Sequence, residues 1–210
     1  MLAYWTKNRS IQIASEDCHI SELKVIEYYA KFREAAEELY YADLVASPLG
    51  SANVVCEIDE TVYGRAKYHR GRGLGRPTYW IFGAIDTITN RVMAEHVETR
   101  DADTLLPIIA SVVREGSEIW SDCWKAYGQL PDLGFQHATV NHSENFVDPE
   151  TQVNTQLIEC TWSVIKSFLR KRNCRSREHV MQHVHEWCFR RNLGETFGDC
   201  WKSINQHLNA

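Results

Sequence analysis

Three acidic residues sit where a fold can bring them together. Metal-dependent phosphoryl transfer on a nucleic acid needs several carboxylates converging on two hard divalent cations. In VVCEIDET, residues 54 to 61, strand alternation puts Val55, Glu57 and Asp59 on one face and Cys56, Ile58 and Glu60 on the other. Asp59 is thereby flanked by apolar residues, a costly place for an acid unless it pairs or holds metal. Asp122, in IWSDCW, follows a second apolar strand at its carboxyl end, where ligand sites of α/β sheets tend to lie. Glu159 opens the third piece, TQLIECTWSVIKSFL. There Ile158, Trp162, Ile165 and Leu169 form a core stripe at helical spacing, and Glu159, Ser163, Lys166 and Arg170 form the adjacent one. Lys166 stands two turns from Glu159, about 10 Å along the axis, which suits a cation holding a DNA phosphate. Each acid alone has an ordinary reading, a strand-end charge or a surface helix position; the argument rests on all three.

Cations are segregated. Five Lys or Arg and no acid occur from Gly64 to Arg76, and six and no acid from Lys166 to Arg177. Arg70, Arg72, Lys166, Arg170 and Lys171 are therefore the candidate DNA contacts. His142, in the polar loop VNHSENFVD before the Glu159 helix, is a candidate for positioning DNA or water, the alternative being a loop capped by Asn141, Ser143 and Asn145. Trp124 and Tyr127 either stack on a distorted base or pack in the core, and core packing is the preferred reading. His179 and His183 have the i, i+4 spacing of a helical zinc pair, but no third ligand at motif spacing supports zinc.

The elements that must position these residues form an α/β pattern. Ser21 to Tyr41 repeats apolar residues at helical spacing, and a turn-rich stretch from Ala46 to Asn53 follows. Strands are predicted at 54–61, 78–86 and 91–98, then a helix at 103–114, a strand at 117–121, a short helix at 123–129, a strand at 137–141 and a long helix from about 155. The expected fold is a mixed sheet flanked by helices, with a small helical amino-terminal segment, and its element order is that of the ribonuclease H-like fold.

A chain of 210 residues with 44% hydrophobic residues can bury one sizeable core. Its net charge of −5 argues against a generally basic coat protein, so DNA contact must come from local patches. Seven cysteines without a Cys-x-x-Cys pair indicate neither a disulfide framework nor a zinc ribbon. No apolar run suits a signal peptide or a membrane span. The expectation is an intracellular protein without membrane partners, nuclear if eukaryotic and cytoplasmic if bacterial.

With these residues in place, the run from Val55 to about Asn192 resembles the DDE catalytic domain of Merlin-type DNA transposases and of the related bacterial insertion-sequence transposases. The matching stretches, in order, are VCEIDET (55–61), HRGRG (69–73), WIFGAID (80–86), TLLPII (104–109), SDCWKAY (121–127), VNHSENFVDPET (140–151), TQLIECTW (155–162) and Lys166. The resemblance implies that Asp59, Asp122 and Glu159 are a triad holding two Mg²⁺ or Mn²⁺ ions, with 62 residues between the first pair and 36 between the second. It further implies strand cleavage and strand transfer at transposon ends, with DNA as partner and a homodimer or higher oligomer on DNA. Domains are expected at 1–50, resembling part of a helix-turn-helix, at 54–192, the catalytic domain, and at 193–210, a helical tail. Gln156 stands where many bacterial relatives have Asn, and the chain carries no ligand set for the zinc module those relatives often have. Two other readings remain at this stage: a domesticated DNA-binding protein derived from a transposase, and a ribonuclease H-like nuclease that cuts without joining.

Overall fold

The computed structural model describes residues 1–63, 79–144, 146–172, 174, 176–194 and 197–209. The basic Gly64–Arg76 segment, with Arg70 and Arg72, lies outside them. Three helices lead, α1 (Leu2–Thr6), α2 (Ile11–Cys18) and α3 (Glu22–Ala46). The serines at positions 10 and 21 cap α2 and α3, each accepting a backbone N–H three residues on. Then come strands β1 (Val55–Tyr63), β2 (Tyr79–Asp86) and β3 (Val92–Val97), helix α4 (Ala102–Val112), strand β4 (Glu118–Asp122), a 3-10 helix (Lys125–Leu133) and strand β5 (Gln136–Val140). Helices α5 (Gln156–Arg170), α6 (Arg177–Leu193) and α7 (Phe197–Leu208) complete the chain.

The strands form one five-stranded sheet in the order β3-β2-β1-β4-β5. β1, β2 and β3 pair antiparallel as a meander, whereas β4 and β5 join β1 in parallel, each reached through a helical connection. This mixed sheet with flanking helices has the ribonuclease H-like arrangement that the element order predicts. The predicted strand bounds agree with the observed ones to within two residues.

Register does the positioning. The last β1–β4 partners are Glu57 and Trp120, so two residues further along both parallel strands Asp59 and Asp122 come level on neighbouring strands. Helix α5 lies across β1 and β2 and is indexed to β1 at two points. Ile158 N donates to Glu57 Oε2 at 2.9 Å, and Trp162 Nε1 donates to Asp59 Oδ2 at 3.0 Å. Four helical residues advance about 6 Å and two strand residues about 6.7 Å, so the two spacings match. Glu57, 3% exposed, thus satisfies an amide of the first turn of α5 that no intrahelical carbonyl could reach.

Gly83 makes the second contact possible. It is the cross-strand partner of Asp59, and a Cβ there would come within 2.4 Å of the Trp162 indole. The bare backbone leaves the room that the ring occupies against β2. On the opposite face of β1, Glu60 accepts a hydrogen bond from the Tyr127 hydroxyl, and the Arg100 guanidinium is sandwiched between the Trp80 and Trp124 rings. Trp124 and Tyr127 are therefore packing residues, Tyr127 fully buried.

The amino-terminal helices pack into the same core. Tyr40 of α3 is buried, and its hydroxyl accepts from the Ala94 amide of β3 at 3.0 Å. His185 of α6 lies between Glu37 of α3 at 2.5 Å and Glu95 of β3 at 3.6 Å. Burial alone would lower the His185 pKa, but the two carboxylates raise it to about 9.

Because Gly83 has no room for a side chain, Gly83→Ala should destabilise the fold by about 1–3 kcal/mol through overpacking against Trp162. Urea denaturation of parent and variant checks this, and an unchanged midpoint would contradict the packing described.

Candidate active site

Asp59 is the electrostatic centre of the site. Burial is the main reason its pKa rises, to about 7, with the nearby Glu60 and Asp122 carboxylates adding to the rise. The Glu60 backbone amide and the Trp162 indole N–H pull the other way. Asp122 Oδ1 accepts from the Trp124 amide at 2.9 Å, which fixes its carboxylate at the end of β4. Glu60 is also raised, chiefly by burial, even though Tyr127 and Arg100 act to lower it. Three acids are thus crowded together, Asp59 and Glu60 from the middle of β1 and Asp122 from the end of β4.

Glu159 approaches from α5. Its Oε1 accepts from Thr155 Oγ1 at 3.2 Å and lies 3.3 Å from His142 Nε2, while His142 Nε2 is 2.7 Å from Thr155 Oγ1. With the Thr155 proton given to Glu159, Thr155 accepts from His142, which puts the imidazole proton on Nε2. The His142 loop is therefore adjacent to Glu159, and Asn141 Oδ1 separately caps the Ser143 amide. Glu159 contributes to the raised pKa of Glu57, whose largest cause is burial.

Lys166 is half-buried, and burial lowers its pKa while Asp59 acts to raise it. It therefore sits within the field of Asp59, and Arg170 is near enough to act against its charge. Lys171 turns to another flank of α5, where it lines a separate cavity. Asp59 thus interacts with both Asp122 and Lys166, Glu159 and His142 stand together two helical turns from Lys166, and Lys171 lines a different flank.

Among the described residues, no three His, Cys, Asp or Glu side chains stand in a metal-holding group. The donor set nonetheless fits a hard divalent cation. Asp59 and Asp122 are oxygen donors on adjacent strands, the donor type that such a cation takes. The Glu159 side chain is 46% exposed and can rotate. His183 Nδ1 lies 3.0 Å from Glu186 Oε2, a hydrogen bond within α6, and among the described residues neither His179 nor His183 belongs to a metal-holding group.

Residues 53–192, two thirds of the chain, match the ISXO2-like transposase domain. The chain belongs to that transposase family. A transposase-like protein of Haemophilus influenzae (strain ATCC 51907 / DSM 11121 / KW20 / Rd) is 33% identical over 92 residues, covering 44% of this chain and 73% of its relative. Solved structures similar to the transposase domain include a chain of the simian T-cell lymphotropic virus intasome, with TM-score 0.45 and 21% identity over 67% of this chain. The match spans 51% of that intasome chain. The HTLV-2 integrase catalytic core solved with magnesium aligns with TM-score 0.41 and 17% identity, covering 65% of this chain and 85% of that core. The region matched by the transposase domain encloses all three acids. Glu57 and Gly83, which set the position of α5, are the residues that sequence reasoning missed. Their signal was present only as an acid and a glycine on the same strand faces as Asp59.

An unfolded aspartate titrates near 4, so a folded pKa of about 7 means that protonation of Asp59 favours the folded state. That contribution is fully present below about pH 4 and is lost as pH rises through about 7. In chelator at pH 8, Asp59→Asn should therefore be more stable than the parent by about 1–3 kcal/mol. The gap should close toward pH 4. Denaturation curves at both pH values test this, and a gap that does not change with pH would refute it.

Proposed function

We propose that this chain is a polynucleotidyl transferase that cleaves DNA at transposon ends and joins the freed 3′-hydroxyl to target DNA. The observation that carries the reading is the level placement of Asp59 and Asp122 on neighbouring strands, with Glu159 presented by a helix indexed to the same strand. Residues 54–192 would perform the chemistry, and the flanking segments 1–50 and 193–210 would support it.

In this reading Asp59, Asp122 and Glu159 hold Mg²⁺ or Mn²⁺, two ions in all. When bound, the cations activate the attacking oxygen and stabilise the leaving one. Rotation of the Glu159 side chain away from Thr155 and His142 completes the ligand set. Trp162 holds the Asp59 carboxylate at Oδ2, and Asp59 would supply an oxygen to the cation. Lys166 holds a DNA phosphate beside Asp59, and Arg170 extends the cationic track along α5. His142 positions the strand or a water next to Glu159. Arg70, Arg72 and Lys171 add phosphate contacts, and the protein works as a homodimer or higher oligomer on DNA.

Two rival readings predict different products. A ribonuclease H-like nuclease nicks without joining, and a domesticated binding protein does neither. The test is an assay of Mg²⁺- or Mn²⁺-dependent nicking and joining, using DNA ends taken from the sequence flanking the coding region. The parent should yield joined products. Asp59→Asn, Asp122→Asn and Glu159→Gln should each lose turnover by on the order of 10³-fold with DNA affinity nearly intact. Lys166→Ala should cost turnover more than affinity. Comparable activity in any acid variant would remove that residue from the triad.

A further inference from the structure

A cavity of about 700 Å³ opens on the side of α5 away from Glu159, enclosed by the amino-terminal segment, α3, α5 and α6. Helical geometry separates the two sites: Glu159, Ser163 and Lys166 share one flank, whereas Val164, Ser167 and Lys171 share the other and line the cavity. Four cations line it, Arg9, Arg33, Lys171 and Arg172, against one carboxylate, Glu186.

That carboxylate is already satisfied. Arg190 Nη2 lies 2.8 Å from Glu186 Oε1, and His183 Nδ1 lies 3.0 Å from Oε2, whereas Arg172 stands off at 3.9 Å. Glu186 is driven down to about 2 by His183, Arg190 and Arg172 despite almost complete burial. Arg33 is left over. Its Nε is buried without an acceptor, and its guanidinium forms no hydrogen bond or ion pair among the described residues. Trp5, a second lining residue, is 2% exposed, and its indole N–H likewise has no acceptor. Buried donors in native proteins are almost always paired, and Arg33 has only through-space fields, those of Glu186 and Glu34 among them, to set against its burial.

We propose that this cavity is a binding site for a phosphate-bearing anion. Its charge is met by Arg9, Arg33, Lys171 and Arg172, the four cations that line the cavity. A guanidinium presents fixed donors that suit phosphate geometry, and several cations with orphan donors select an anion over a neutral ligand. The volume exceeds that of one phosphate, so a sugar or base attached to it fits against the apolar wall of Ile11 and Val164. A DNA strand and a free phosphate compound share this chemistry.

The test uses the full chain in chelator, so failure of the proposed metal chemistry leaves it unaffected. Melting and binding are measured with inorganic phosphate, with pyrophosphate and with a 5′-phosphorylated single-stranded oligonucleotide, against chloride at equal ionic strength. At least one of these should raise the melting temperature and bind, and Arg33→Met should weaken that binding by on the order of tenfold or more. Binding of phosphate or pyrophosphate identifies a free phosphate compound as the ligand; binding of the oligonucleotide alone identifies a DNA strand. Should Arg33→Met fail to fold, the exposed pair Arg9→Gln with Lys171→Gln reads the same site and should show a comparable loss. The proposal is overturned if none of the three probes binds beyond the chloride control, or if affinity is unchanged in the variants that fold.

Discussion

Holding a buried carboxylate one strand away from a second carboxylate is an electrostatic problem, and much of the architecture around β1 addresses it. Desolvation and like charge both favour the proton on Asp59. The opposing influences are one backbone amide, one indole N–H and the half-buried ammonium of Lys166. None is strong enough to restore an ordinary carboxylate. The strain is local, but the elements that impose it are global: parallel pairing of β1 with β4 sets the two acids level, and that pairing requires the α4 crossover between them.

Helix α5 is the second dependency. It carries Glu159 and Lys166, so its position along β1 decides whether they reach the acids at all. Glu57 fixes its first turn, and Trp162 fixes its second through Asp59 itself. One residue therefore takes part in both the site and its scaffold. Gly83 permits this by leaving the surface of β2 open to the indole. A shift of α5 by one residue would turn its side chains by about 100° and lose both hydrogen bonds together.

The strands, α4 and α5 are legible in the sequence because each has a clear period and each acid sits at a readable place within it. The division of β1 into a Glu57–Asp59 face and an Ile58–Glu60 face follows from alternation alone, and the structure shows it in the partners each side chain meets. The role of Glu57 is not legible, because its partner lies 101 residues away. Helix α6 is obscured for a different reason. Its inward face carries His183, His185 and Glu186, all buried and paired, so polar residues occupy positions that hydrophobic periodicity expects to be apolar. Lys166, Arg170 and Lys171 read as one basic run in sequence, but the helix sends Lys171 to the cavity on the other flank. The basic segment containing Arg70 and Arg72 stays a sequence-level expectation.

Membership of a transposase family and the mixed sheet account for where the acids stand; the cation proposed above would account for why they stand there. No helix among the described residues is long and apolar enough to cross a membrane. The most direct measurement is the melting of the parent and of Asp59→Asn at pH 8, each in chelator and with Mn²⁺. Because the ion binds the folded site alone, Mn²⁺ at about 100 times its dissociation constant should stabilise the parent by roughly 2.7 kcal/mol and stabilise the variant little. A parent without a metal-dependent shift, or a variant with an equal one, would contradict a cation site built on Asp59.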